Sequence, residues 1–118
     1  MKNLPKIALS LIAVGVFAHA NASTITVSTG FSNAGAQASA AAYQSVVNAA
    51  VATPGAGYGS TTIASYDNIN NSGLFGSGSN IAFKSVINFG VSAADAGAWS
   101  FRTGVDFGKG GALFLDGV

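Results

Sequence analysis

The sequence predicts a mainly β domain, an incomplete antiparallel β-sandwich carrying one N-terminal amphipathic helix. Three observations predict it. Segments at 23–28, 81–91 and 99–103 alternate apolar and polar residues, the period of a strand with one buried face. One stretch, 34–52, repeats its larger apolar residues at helical spacing. Gly, Asn, Ser and Asp cluster between these segments, where the chain must turn.

The first 22 residues stand apart. Lys2 and Lys6 form a positive start, Ile7 to Phe17 is apolar apart from Ser10 and Gly15, and Ala20-Asn21-Ala22 has a small-x-small form. That order is a secretory signal peptide of bacterial type, with cleavage expected between Ala22 and Ser23. A membrane anchor is the alternative, but the apolar run falls well short of the roughly 20 residues that cross a bilayer. The working protein is therefore expected outside the cytoplasm, in the envelope or beyond it, as one small domain over 23–118 with no membrane span.

In the mature part, Ile25 and Val27 face one way and Thr24, Thr26 and Ser28 the other, giving the first strand. Over 34–52, Tyr43, Val46, Val47, Ala50 and Val51 form one helical stripe. Ser32 or Asn33 is placed to cap that helix, and Thr53-Pro54-Gly55 stops it. Residues 60–66 suit a short strand. Residues 67–80 read as a surface loop with Leu74 and Phe75 turned inward. The clearest strand follows. Ile81, Phe83, Ile87, Phe89 and Val91 share its apolar face, interrupted by Ser85, against Ala82, Lys84, Val86, Asn88 and Gly90. Ala93 to Gly97 turns the chain, Trp99 to Thr103 is a further strand, 107–111 a glycine-rich turn, and Ala112 to Leu115 a last strand. Asp116-Gly117 opens another hairpin turn one step before Val118, so a return strand is expected beyond it. This reads as a fragment of a longer product; a short natural ending, or an edge covered by a partner, is the alternative.

Composition closes several functions. Residues 23–118 hold Lys84, Arg102 and Lys109 against Asp67, Asp95, Asp106 and Asp116, with no basic stripe for nucleic acid. The chain has no Cys and no Glu, and its one His, His19, lies in the signal. A Ser-His-Asp or Cys-His site, or a zinc site with His or Cys ligands, cannot be built from the mature part. An aspartate pair acting as acid and base is the one enzymatic route left, and it ranks last.

The segment from Trp99 to Gly117, WSFRTGVDFGKGGALFLDG, resembles the core of the protective-antigen-type β-sandwich, a lectin-like module of bacterial toxins, glycosidases and adhesins. More of the mature chain, from about Tyr43 through TTIASYDN at 61–68 to Gly117, is similar to exported proteins of the PEP-CTERM sorting type, the exosortase-associated class, in the subgroup with a Cys-Cys-x-Gly motif. The chain lacks that motif, the Pro-Glu-Pro tripeptide and the apolar tail with its basic end, all of which would lie past Val118. The lectin-like resemblance implies a Ca²⁺ site at Asp106 and Asp116. Phe107 stands where a second adjacent Asp would be, and Lys109 enters a longer turn, so capping of two hairpin turns is the favoured role for both aspartates. No other cofactor is expected. Trp99 is a sugar-stacking candidate, although its phase with Phe101 suits the core. Arg102 suits an exposed strand position beside Asp106 or Asp116.

The expected function is that of a non-catalytic surface or extracellular-matrix protein, a lectin-like module for extracellular polysaccharide. The alternative is a ligand-free structural protein that self-associates through sheet edges.

Overall fold

The computed structural model describes residues 21–98, 100 and 108–115. Its centre is an antiparallel three-stranded sheet in the order β2-β1-β3. Strand β1 (Asn21–Phe31) lies between β2 (Ser60–Ile63) and β3 (Ile81–Gly90). From β1 the chain passes through helix α1 (Ala40–Ala52) to β2, then through a long loop holding the single turn α2 (Asn71–Leu74) to β3. A 3₁₀ turn, Ala93–Asp95, follows where a turn is expected.

The alternating Thr-Ile-Thr-Val-Ser-Thr run makes β1 central. β-branched side chains suit a pleated surface packed on both sides. Ile25 sits opposite Ile63 and Ile87, Val27 opposite Thr61 and Ser85, and Thr29 opposite Phe83, so these share one face. Val27 is wholly buried and Ile25 nearly so. Burying a side chain such as Val27 contributes about 1.5–3 kcal/mol. Phe31, at the end of the same row, meets Tyr58 edge to face, with ring centroids 6.3 Å apart.

Each face of the sheet has its own cover. Helix α1 lies on the face of Gly30 and Ala82. It presses so close that a Cβ on Gly30 would run into the carbonyl of Ala50. Lys84 Nζ, from the same face, donates to Asn48 Oδ1 at 2.8 Å. The helix buries none of its residues fully, but its half-buried side chains include the expected stripe, Tyr43, Val46, Val47, Ala50 and Val51. The opposite face is covered by the loop 64–80, pinned through Asn71 to Thr29.

Five expectations change. β2 stops at Ile63 rather than running to Tyr66. β1 is longer than its alternating segment at both ends. The helix starts at Ala40 rather than near Ala34. Ser39 caps it by accepting from Ala42 N at 3.2 Å, whereas Ser32 closes a local turn with Ala34 N at 3.3 Å. Gly35 in a helix interior would cost about 1 kcal/mol relative to Ala, which favours the later start. On β3 the buried residue is Ala82, under the helix; Phe83 is half-buried, while Ile81, Ile87, Phe89 and Val91 stay exposed. The covering loop reaches only part of that face, with Tyr66 hydrogen-bonded to Ser85. Lastly, Ala112–Leu115 forms no strand. Its leading turn is tied instead to α1 by the Tyr43 hydroxyl, which donates to Lys109 O at 2.7 Å, and Gly110 takes a φ of 85°, outside the strand region.

Among the described residues there is one sheet, covered by a helix on one face and a loop on the other. The strand expected at Trp99–Thr103 lies outside them, apart from Ser100, which is in neither helix nor strand. No helix among the described residues is long and apolar enough to cross a membrane.

Candidate functional site

An open groove of about 1870 Å³ follows β3 and wraps its edge onto both faces of the sheet. Its lining includes Phe83, Ser85, Ile87 and Phe89 on the loop-covered face, and Val46, Val47 and Asn48 from α1. Residues 66–71 and 108–115 add further wall. The sequence folds this way locally because β3 lies at the end of the β2-β1-β3 ladder and the loop 64–80 covers only part of it.

Tyr66 is the most exposed aromatic of the groove at 41%. It is nonetheless held, because its hydroxyl shares a 2.8 Å hydrogen bond with Ser85 Oγ on β3. Asp67 and Asn68 follow it on the wall, and Asn68 takes a left-handed backbone, φ 47°, which Asn tolerates better than most residues. Of the other amides on the wall, the Gln44 and Asn80 side chains have no partner among the described residues, whereas the rest are occupied. Asn48 accepts from Lys84, Asn70 caps α2 by accepting from Gly73 N, and Asn88 Nδ2 donates to Thr24 Oγ1. Asn71 Nδ2 donates to the carbonyls of Gly57 and Ser77 at 3.0 and 2.7 Å. Asp67 and Asn68 side chains have no partner among the described residues.

A smaller hollow of about 290 Å³ lies at the start of β3, lined by Ser32, Asn33, Ala34, Asn80, Ile81 and Lys109. Among the described residues no three His, Cys, Asp or Glu side chains converge. The wall carries an aromatic ring, an amide, a carboxylate and exposed aliphatic groups.

The residues singled out from sequence fall mostly elsewhere. Asp106 and Asp116, the expected Ca²⁺ or turn-capping pair, lie outside the described residues, as do Trp99 and Arg102. Ala22 and Ser23, the expected cleavage junction, lie near the start of β1, where Ala22 pairs with Phe89 and the ladder shifts register between Ala22 and Thr24. Tyr66, Asp67 and Asn68 belong to the TTIASYDN stretch quoted for the family resemblance, but nothing in spacing alone distinguishes them from other turn residues. Only the fold brings Tyr66 to Ser85 and aligns its neighbours with the groove.

No protein-family model, curated protein or solved structure matches this chain.

Proposed function

We propose that the chain is an exported, non-catalytic surface or extracellular-matrix protein that acts as a lectin-like binding module. In this reading Met1–Ala22 directs secretion and the working protein starts at Ser23. The three-stranded sheet is one layer of an antiparallel β-sandwich of the PEP-CTERM-associated kind, and Asp106 and Asp116 cap turns. The observation that supports binding is the open groove along β3, with a tethered tyrosine and unengaged polar side chains on its wall. The absence of His, Cys and Glu from residues 23–118 argues in the same direction.

The test is expression of the full chain in a Gram-negative host, with intact-mass measurement of each cell fraction. The expected product is residues 23–118 in the periplasm or medium. Unprocessed chain confined to the cytoplasm overturns the export reading. The module reading requires the exported protein to bind extracellular polysaccharide in a native gel.

A second reading is favoured by one specific observation. Val86 and Ile87 are 40% and 45% exposed on a long strand, and such strands promote association. The protein would then be a structural matrix component that assembles with its own copies.

A further inference from the structure

We propose that Tyr66, Asp67 and Asn68 form a carbohydrate-binding platform on the β3 groove, and that its ligand is an uncharged, extended polysaccharide. This deepens the binding-module reading and rests on it.

A sugar ring has an apolar C–H face and a rim of hydroxyls. A site for it needs an exposed aromatic face at a fixed angle and polar groups in the plane beside it. Tyr66 supplies the first, the residue being 41% exposed and its hydroxyl fixed to Ser85 on the sheet. That tether reduces the ordering entropy lost on binding. Asp67 and Asn68 supply the second. A carboxylate accepts from adjacent hydroxyls, and an amide both donates and accepts. Their side chains lack partners among the described residues, whereas Asn48, Asn70, Asn71 and Asn88 are all engaged. Asp67 and Asn68 can therefore bind without first breaking a contact in the fold.

The shape and charge of the groove select the ligand class. It is open and follows a strand, so it suits a chain rather than a single enclosed sugar. Exposed Ile87 extends its apolar floor past Tyr66. Its charged side chains among the described residues are Asp67, Lys84 and Lys109. Lys84 keeps its charge but lies on the helix-covered face, bonded to Asn48, and Lys109 is tied through its carbonyl to Tyr43 of the same helix, so Asp67 is the charge that adjoins Tyr66. An anionic polymer would meet the Asp67 carboxylate beside the ring, and a neutral one meets no such repulsion.

The experiment is native gel electrophoresis of the exported protein through gels containing hydroxyethylcellulose, dextran, yeast mannan or alginate. Wild type, Tyr66→Ala, Tyr66→Phe and Asp67→Ala are run side by side, with thermal unfolding to verify that each variant is folded. Expected is retardation by at least one neutral polymer, weakened about tenfold in Tyr66→Ala and less in Tyr66→Phe, which keeps the ring. Asp67→Ala should weaken it as well. Retardation unchanged in both Tyr66→Ala and Asp67→Ala leaves the module reading standing and overturns this site. Retardation by alginate alone overturns the neutral ligand. Retardation in none of the gels overturns the binding-module reading and the site with it.

Discussion

The Thr29 hydroxyl donates to Asn71 Oδ1 across 42 residues of sequence, and both side chains are buried. Around that contact each polar group is used. Thr29 Oγ1 accepts from Gly59 N at 3.2 Å, Thr29 N donates to Gly59 O at 2.7 Å, and Asn71 Nδ2 donates to two loop carbonyls. The Asn71 carbonyl accepts from Phe75 N and Gly76 N. The cluster fastens the crossing loop to the central strand, which a short apolar core would do poorly. A buried polar network stabilises only when every member is satisfied.

Asn71→Ala removes the partner of Thr29 and of two carbonyls at once. The expected loss is about 3 kcal/mol in urea unfolding, large for so small a domain. Thr29→Val should cost about 1–3 kcal/mol, since it leaves Asn71 Oδ1 and Gly59 N without that partner. The double variant should lose less than the two single losses added, because each removes the same bond. Simple additivity would show that the pair does not act as a unit.

Gly30 makes a separate prediction on the other face. Helix α1 crosses β1 there at backbone distance, and any Cβ meets the Ala50 carbonyl. Gly30→Ala should therefore destabilise by about 1–3 kcal/mol, through displacement of the helix rather than loss of a contact. Gly78→Ala, at a position open to solvent, is the matched control and should change little. Equal midpoints for the two variants in thermal unfolding would contradict this packing.

What was legible in the sequence followed from periodicity. Alternation located β1 and β3, and helical spacing named the half-buried stripe of α1 from Tyr43 to Val51. Long-range choices left no such trace. The row Ile81, Phe83, Ile87, Phe89 and Val91 has the pattern of an inward face, yet the crossing loop covers only part of it. The small residues Gly30 and Ala82 look unremarkable in sequence, but they are what lets the helix approach. Asn71 reads as one more polar loop residue until the fold brings it to Thr29. The groove was illegible for the same reason: its tyrosine, amide and carboxylate acquire a common wall only through the Tyr66–Ser85 bond.

Removal of metal gives a third prediction. If Asp106 and Asp116 cap turns, any polysaccharide retardation should be the same in EDTA and in millimolar Ca²⁺. A Ca²⁺-bridged lectin site would lose binding completely in chelator, because its sugar hydroxyls would coordinate the ion. The comparison is made on wild type in paired gels. A chelator-sensitive shift that Asp106→Asn also abolishes would favour the Ca²⁺ assignment over turn capping.

The last prediction concerns β3 as an assembly surface. Ile87 is 45% exposed and lies opposite Ile25 in the ladder, on the face the loop only partly covers. A lysine there keeps its stem along the strand and puts a charge where a second copy would approach, a device by which sheet edges resist pairing. Ile87→Lys should change unfolding free energy by less than about 1 kcal/mol, since the residue is already nearly half open to solvent and the lysine stem can replace its apolar contact. Under the structural reading, light scattering of wild type should show mass rising with concentration, and Ile87→Lys should return it toward the monomer. Under the binding-module reading, wild type and variant should both remain monomeric in the absence of polysaccharide. Oligomers that persist in Ile87→Lys would place self-association elsewhere on the molecule and remove β3 from that role.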